Sequence, residues 1–273
     1  MGFGNRLVEA GRTHGRLCVG IDPHAALLQQ WGLANTVDGL RTFAMTCVEA
    51  FGGHVAAIKP QVAFFERFGA QGFAVLEETL ASARELGTIT IADAKRGDIG
   101  STMAGYAAAW LEPGAPLEAD ALTLTPYLGV GSLAPAIELA KQHGKGVFVM
   151  SANSNPEAEQ FQSSTLNGGV TVAQFMSDEC AKFNADAALR GEVGDVGVVV
   201  GATVDTPPAL ESLNAPVLMP GVGAQGATFA DVDRIAGKRA HLVFPNVSRS
   251  VLRHGPNVSD LRNQAVELGK RDN

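Results

Sequence analysis

Four charged residues of alternating sign are spaced so that they could form one reaction centre. Each ends or follows a short apolar run of strand character: Asp22, Lys59, Asp93 and Lys95. Side chains of a strand alternate with period two, so Asp93 and Lys95 are expected to face the same side. Carboxylates next to ammonium groups keep the lysines protonated. Such a cluster can deliver a proton and repel an anionic leaving group.

A second group of residues has the composition of a phosphate site. Residues 220–226 read PGVGAQG, and residues 246–250 read NVSRS. Glycines let backbone N–H groups approach an anion, and the loops after the last two strands are the usual phosphate site of α/β barrels. Arg249 would add a charge-assisted contact. The sequence therefore predicts a ligand that carries a phosphate.

Other motifs are weak or missing. Residues 221–226 match the G-x-G-x-x-G fingerprint of dinucleotide-binding folds, but they follow the seventh predicted strand instead of the first. No acidic residue stands about 20 positions further on to bind a ribose. No HExxH or similar spacing predicts a metal site, and no GxSxG predicts a serine hydrolase.

Apolar runs of strand length alternate with amphipathic stretches of helical length. The predicted strands are residues 17–21, 55–58, 88–92, 121–124, 147–150, 196–200, 216–219 and 241–247. The predicted helices are residues 39–51, 71–86, 102–111, 133–143, 170–189, 208–213, 227–236 and 258–268. Ser132 and Ser259 are predicted to cap two of these helices.

This alternation over 273 residues predicts a single-domain α/β protein, a (β/α)8 TIM barrel covering residues 1–273. A doubly wound open sheet is the alternative. Residues 152–169 form the one long segment without a regular pattern. They follow the fifth strand, so we expect an active-site loop on the C-terminal face of the barrel.

Composition narrows the possible partners and compartment. Lys and Arg number 21 and Asp and Glu 28, so the net charge is 21 − 28 = −7, which argues against a general nucleic-acid binder. No apolar run approaches 18 residues, so we expect no membrane span. The three cysteines are far apart and form no CxxC, which disfavours a disulfide framework. A cytoplasmic protein is the expectation.

Taken together, the motifs resemble those of the orotidine 5'-monophosphate decarboxylase family, in its longer bacterial branch. They occur in the family's order and cover most of the chain: Asp93-x-Lys95-x-x-Asp98 followed by Thr102, KPQVAFFE at 59–66, SNP at 154–156, PGVGAQ at 220–225, and Arg249.

The resemblance implies that orotidine 5'-phosphate is converted to uridine 5'-phosphate and CO2, the last step of UMP synthesis, without a metal or organic cofactor. Lys95 would give the proton, and Lys59, Asp93 and Asp98 would complete the charged network. The implied substrate contacts are Asp22 and Lys59 for the ribose, Ser154 for the pyrimidine, and Gln225 and Arg249 for the phosphate, beside Pro220, Gly221 and Gly223 of the phosphate loop. The resemblance also implies a homodimer in which Asp98 and Thr102 reach the neighbour's site.

Several alternatives stay open from the sequence. Ser151 or Asn153 could contact the pyrimidine instead of Ser154. A related decarboxylase or aldolase that uses Mg²⁺ would carry a glutamate at the end of strand 2, where Lys59 would repel a cation. A barrel that binds a phosphate ligand without catalysis would be expected to lose part of the Lys/Asp set, and none of it is missing.

Overall fold

Eight parallel strands close into a barrel in the order of the sequence, which confirms the predicted (β/α)8 fold. The computed structural model describes residues 1–223 and 226–270. The strands are β1 Cys18–Ile21, β2 Ala57–Pro60, β3 Ile89–Arg96, β4 Ala121–Leu124, β5 Gly146–Ala152, β6 Val196–Val200, β7 Val217–Pro220 and β8 Val243–Val247. Cys18 lies opposite Ala57 of β2 on one side and Asn246 of β8 on the other, and this pairing closes the barrel.

Helices surround the barrel. Those of the described residues are α1 Phe3–His14, α2 Ala25–Gln30, α3 Val37–Phe51, α4 Val62–Glu66, α5 Gly69–Glu85, α6 Gly100–Leu111, α7 Ala134–Gln142, α8 Pro156–Gln162, α9 Val172–Phe183, α10 Ala185–Leu189, α11 Phe229–Ala236, α12 Arg249–Leu252 and α13 Val258–Lys270. Within the described ranges, no helix is both long enough and apolar enough to cross a membrane.

The strands are apolar on both faces because both faces are covered. Every residue of β6 (VGVVV) is buried, as expected for parallel strands between a barrel interior and a layer of helices. A core cluster contains alternate strand residues together with Phe3 and Leu7 of α1, and Phe3 packs edge-to-face on Phe148 of β5. Helix α1, which the sequence analysis did not predict, therefore contributes to the core of the barrel.

The helix predicted over residues 208–213 is wrong. Residues 208–210 have no regular structure and residues 211–213 form a turn, and the backbone of Ala209 is bonded to a side chain instead of to helical neighbours. Gln174 of α9 accepts from Ala209 N at 2.7 Å and donates to its carbonyl oxygen at 3.3 Å. The predicted helix over residues 170–189 is divided into α9 and α10 at Asn184, whose buried amide donates to the carbonyl oxygens of Val196 and Leu213.

Both predicted caps are also wrong. Ser132 lies within a 3-10 turn, Val130–Leu133, and its hydroxyl donates to the Gly129 carbonyl oxygen. Ser259 lies inside α13, and the residue that caps this helix is Asn257. The Asn257 side chain accepts hydrogen bonds from the backbone N–H groups of Ser259 at 2.9 Å and Asp260 at 3.2 Å.

The segment after β5 is not irregular throughout. Helix α8 occupies its middle, with Pro156 at the first helical position and Glu157 and Glu159 in the first turn. Proline suits the first turn of a helix, and acidic residues there favour the helix dipole. Residues 153–155, which precede α8, lie at the C-terminal end of the barrel and line its cavity.

Candidate active site

A cavity of about 330 Å³ opens at the C-terminal ends of the strands. Seven of the predicted site residues line it: Asp22, Lys59, Asp93, Lys95, Ser154, Pro220 and Gly221. They come from the ends of five strands, β1, β2, β3, β5 and β7, or from the residues just after them. The barrel thus brings together side chains that are up to 199 positions apart, since 221 − 22 = 199.

Three of these residues form a continuous array of alternating charge. Lys59 Nζ lies 2.6 Å from Asp93 Oδ2, and Lys95 Nζ lies 2.5 Å from Asp93 Oδ1. The side chains of Lys59 and Asp93 are only 8% and 9% exposed, whereas that of Lys95 is 41% exposed. The array is therefore buried at Lys59 and Asp93 and ends in the half-exposed ammonium group of Lys95.

Two neutral residues complete the contacts of the Asp93 carboxylate. Gln61 Nε2 donates to Oδ2 at 2.9 Å, and Thr123 Oγ1 donates to Oδ1 at 3.0 Å. Together with the two lysines, these donors give the carboxylate four hydrogen bonds. The position of Asp93 is therefore fixed from the neighbouring strands on both sides.

The array keeps its charges at neutral pH. Burial alone would raise the pKa of Asp93, but the charges of Lys59 and Lys95 hold it well below its ordinary value. Burial alone would lower the pKa of Lys59, but the charges of Asp93 and Asp22 raise it above its ordinary value. Each charge is thus stabilised by its neighbours, as the alternating signs in the sequence indicate.

The backbone at Lys95 is not that of a regular strand. Its φ is +50°, in the left-handed region, and the pairing of β3 with β4 shifts register between Ala92 and Arg96. The backbone N–H of Lys95 donates to Thr123 Oγ1 at 2.9 Å, so the same threonine supports both Asp93 and Lys95. Asp93 and Lys95 both reach the cavity, as predicted, but through an irregular geometry that period-two alternation does not describe. Such conformations cost about 1–3 kcal/mol and cluster at functional sites.

Asp22 presents an unsatisfied acceptor at the same cavity. Its Oδ1 atom is buried and has no hydrogen-bond partner within the described part of the chain. A buried acceptor without a partner costs about 1–3 kcal/mol, which a ligand hydroxyl could recover. Gly20 makes room for this carboxylate, because a Cβ there would lie 2.8 Å from Ser248 Cβ and 3.2 Å from Asp22 Oδ1.

The predicted phosphate residues are only partly at the cavity. Pro220 and Gly221 line it, but Gly223 and Arg249 do not, and Gln225 lies outside the described residues. Gly221 and Gly223 have φ of +112° and +77°, which favour glycine at both positions. Arg249 is exposed at the start of α12 and follows Ser248, which does line the cavity.

The positive charge of Arg249 acts on His24. Burial and then the positive charge of Arg249 lower the pKa of His24, which lies just after Asp22 at the end of β1.

Asp98 and Thr102 are not brought to this chain's own cavity. The Asp98 Oδ1 atom accepts from the backbone N–H of Ile99 at 2.8 Å, and Thr102 is exposed on α6. Neither residue lines the cavity, although Lys95 is only three positions before Asp98. The sequence motif that contains Lys95, Asp98 and Thr102 thus extends beyond the residues that line the cavity.

Ser154 is the better placed of the two serines after β5. It lines the cavity, whereas the Ser151 hydroxyl is buried and donates to the Ala173 carbonyl oxygen at 2.8 Å. Asn153 also lines the cavity, and its side-chain oxygen accepts from Gln162 Nε2 at 2.9 Å.

Several residues that sequence reasoning missed have structural roles here. Gln61, Thr123 and Asn246 line the cavity, and Asn246 Nδ2 donates to the Cys18 carbonyl oxygen at 2.9 Å between the last and first strands. Thr123 lies two residues after Ala121, whose side chain is in the core cluster that contains Phe3, and this relation is visible only in the folded barrel.

Arg96 and Gly97, which follow Lys95, also have structural roles. The Arg96 guanidinium lies over the rings of Tyr106 and Trp110. Gly97 leaves room for the backbone after β4, because a Cβ at this position would lie 2.3 Å from the Thr125 carbonyl oxygen.

Comparison with known proteins identifies the family. Residues 15–263 match the family model for the orotidine 5'-phosphate decarboxylase / HUMPS family. The chain belongs to this family. The resemblance inferred from the motifs is therefore confirmed.

Individual members of the orotidine 5'-phosphate decarboxylase family are similar over nearly the whole chain. The orotidine 5'-phosphate decarboxylase of Corynebacterium glutamicum is 56% identical over 267 residues, covering 98% of this chain and 96% of the relative. A crystal structure from Streptomyces avermitilis, of a protein assigned as an orotidine 5'-phosphate decarboxylase, has a TM-score of 0.94 at 51% identity and covers 98% of this chain and 94% of that one. The OMP decarboxylase structure from Leishmania donovani has a TM-score of 0.79 at 30% identity, covering 100% and 98%.

Proposed function

We propose that this protein converts orotidine 5'-phosphate to uridine 5'-phosphate and CO2. The main support for the proposal is the Lys59–Asp93–Lys95 array at the cavity. In addition, relatives of this chain are named orotidine 5'-phosphate decarboxylase. The array ends in the half-exposed ammonium of Lys95, which is the group a proton transfer to substrate requires.

The chemistry of the reaction explains the need for this array. The bond between ring carbon C6 and the carboxylate breaks, CO2 leaves, and the electron pair stays on C6, where the ring cannot delocalise it. The Lys95 ammonium stabilises this developing charge and transfers its proton to C6, after which solvent reprotonates the amine. Because Asp93 fixes Lys95 in advance, little reorganisation is needed at the moment of reaction.

The rest of the cavity suits the other parts of the nucleotide. Asp22, with its unsatisfied oxygen, and Lys59 bind the ribose hydroxyls, and Ser154 contacts the pyrimidine. The phosphate is bound at the ends of β7 and β8 by the loop that holds Pro220, Gly221, Gly223 and Gln225, and by Arg249. Arg249 reaches the phosphate from the exposed rim of the barrel.

We propose that no metal or organic cofactor takes part. Lys59 and Lys95 line the cavity with ammonium groups, and these repel a divalent cation. This donor set does not support the alternative of an Mg²⁺-dependent reaction on a sugar phosphate.

We further propose a cytoplasmic homodimer, with residues 1–273 as one barrel domain and active sites shared between subunits. Asp98 and Thr102 lie outside their own cavity, so a neighbour's site can receive them. Ile99 and Tyr127 are 60% and 78% exposed, and large apolar groups of this kind suit a surface that a second copy covers. The three cysteines are unpaired thiols, which is typical of a reducing compartment.

A direct assay tests the proposed reaction. Protein treated with a chelator and then dialysed is mixed with orotidine 5'-phosphate, and uridine 5'-phosphate and CO2 are measured together. Equal amounts of the two products, with no added metal, are expected. Absence of turnover would refute the proposed activity, and turnover that requires Mg²⁺ would refute the metal-independent mechanism.

A further inference from the structure

We propose that Gln162 of α8 is a positioning residue that holds residues 153–155 in place against the substrate. The inference rests on the proposed function, since it assigns Ser154 of this segment to the pyrimidine. Gln162 is not among the residues that the family's motifs suggest, and it lies 8 positions after Ser154 in the chain.

Gln162 both accepts a hydrogen bond from Asn153 and donates one to it. The backbone N–H of Asn153 donates to Gln162 Oε1 at 2.6 Å, and Gln162 Nε2 donates to Asn153 Oδ1 at 2.9 Å. One amide side chain therefore binds both the main chain and the side chain of Asn153. Such a pair fixes the orientation of the residue as well as its position, because both donors and both acceptors must align.

Residues 153–155 need this support because they have open space on two sides. They line the active-site cavity and also a second cavity of about 360 Å³, which extends toward Thr171 and Thr203. A segment between two cavities lacks the close packing that fixes residues of a protein core. Its position must depend on specific contacts such as the Asn153–Gln162 pair.

Further contacts lie at both ends of the segment. Gly201, just after β6, donates its N–H to the Ala152 carbonyl oxygen at 2.8 Å, and a Cβ at Gly201 would lie 3.0 Å from Ser154 N. The Asn155 side chain donates to the exposed carboxylate of Glu157 at 3.0 Å. Gly201 therefore limits how far Ser154 can move toward β6, and Gln162 holds the neighbouring Asn153.

Helix α8 is well placed to be coupled to this segment. None of its residues is buried, so its position is not fixed by the core. Besides the Asn153–Gln162 pair, it contacts the loop after β4 through the rings of Phe161 and Tyr127, whose centroids are 6.0 Å apart. Gln162 thus links an exposed helix to the wall of the active site.

The test compares Gln162→Ala with Gln160→Ala, an exposed glutamine on the same helix. In ligand-free protein, hydrogen exchange at the Asn153 amide should be at least about tenfold faster in Q162A than in the wild type, and unchanged in Q160A. Gln162→Glu keeps an acceptor for that N–H, so its exchange should be slower than in Q162A. Equal exchange rates in Q162A and Q160A would overturn the proposal.

The kinetic readout separates positioning from general destabilisation. Q162A should lower kcat/KM at least about fivefold for orotidine 5'-phosphate and by a similar factor for the phosphate-free nucleoside orotidine, because the segment faces the pyrimidine. A loss confined to the phosphorylated substrate, or a loss of the same size in Q160A, would refute the role of Gln162. If the wild type itself shows no turnover, the proposed function fails, whereas the exchange measurement still decides whether Gln162 holds the segment.

Discussion

At the scale of single residues, the three members of the charged array differ in what they are free to do. Lys59 and Asp93 are buried and hydrogen-bonded, so they fix each other, whereas the Lys95 ammonium is half-exposed at the cavity. A buried charge is costly unless it is paired, and an exposed one is not. We therefore expect loss of Lys95 to affect the reaction and loss of Asp93 to affect the fold as well.

Lys95→Ala should abolish decarboxylation while the protein stays folded. The reason is that Lys95 supplies the proton, and Asp93 keeps Lys59 as a partner when Lys95 is gone. Steady-state kinetics with orotidine 5'-phosphate measure the loss, and Lys182→Ala, an exposed lysine on α9, is the control. A K95A variant that keeps more than about a tenth of wild-type kcat, a loss below 1.4 kcal/mol, would contradict the proton-donor role.

Asp93→Asn should destabilise the protein by about 3–5 kcal/mol at pH 7, because it leaves the buried Lys59 ammonium without its partner. This loss in the free energy of unfolding, relative to the wild type, should become smaller as the pH rises toward 10. Without Asp93, burial favours neutral Lys59 in the folded state, while the unfolded chain still binds the proton, so stability rises with pH. Urea denaturation measures the free energy of unfolding. A deficit that does not depend on pH would mean that Lys59 is not the source of the loss.

In the wild type, the array should instead lose stability at both ends of the pH range, and urea denaturation across that range measures the free energy of unfolding. The lowered pKa of Asp93 stabilises the fold above the ordinary value of 3.8, and this contribution is lost as the pH falls below it. The raised pKa of Lys59 stabilises the fold below the ordinary value of 10.5, and this contribution is lost at higher pH.

Site residues could be predicted from the sequence where they carry a charge. Asp22, Lys59, Asp93 and Lys95 stand at strand ends in the sequence, and all four line the cavity. Gln61 and Thr123 were missed because neutral polar residues are common at strand ends and give no charge pattern. Their importance comes from bonds to Asp93 on the neighbouring strand, which only the folded barrel shows.

At the scale of elements, β7 and β8 place one half of the expected phosphate site in the cavity and the other half at its rim. Gly221 lines the cavity, whereas Arg249 is exposed at the start of α12. A side chain at the rim can contribute to binding of a remote phosphate without touching the reaction centre. Its effect should therefore depend on whether the substrate has a phosphate.

Arg249→Ala should lower kcat/KM for orotidine 5'-phosphate by a factor that corresponds to several kcal/mol of lost transition-state stabilisation. It should change kcat/KM little for orotidine. The nucleoside has no phosphate for the guanidinium to contact. Kinetics with both substrates measure the difference, and Arg253→Ala, an exposed arginine at the end of the same helix, is the control. Equal losses on both substrates would show that Arg249 acts through folding or the reaction centre.

The strands were predictable because burial marked them clearly, whereas burial alone did not reveal every helix: α1 was missed although Phe3 and Leu7 are buried. All eight strands were predicted, since parallel strands covered on both faces are continuous apolar runs. The register shift of β3 between Ala92 and Arg96 was not, because it accompanies a bond from the Lys95 N–H to the Thr123 side chain of β4, which apolar periodicity does not indicate. Helix α8 was missed because none of its residues is buried and so no apolar periodicity marks it.

At the scale of the whole molecule, the question is whether one chain contains a complete site. Asp98 belongs to the motif that supplies Asp93 and Lys95, yet its side chain bonds to its own backbone neighbour Ile99 and does not line the cavity. Ile99 and Tyr127, near that point, are exposed apolar residues. These observations support a second copy on this face, whose cavity receives Asp98.

Mixing two inactive variants distinguishes a shared site from a site within one chain. Lys95→Ala and Asp98→Ala should each be nearly inactive as pure dimers. When they are unfolded and refolded together in equal amounts, about half of the dimers are mixed, and each mixed dimer has one site with both lesions and one with neither. Activity should therefore return to about one quarter of that of refolded wild type. If each site were built from one chain, every subunit would carry a lesion in its own site, so a mixture as inactive as its parents would refute the shared arrangement.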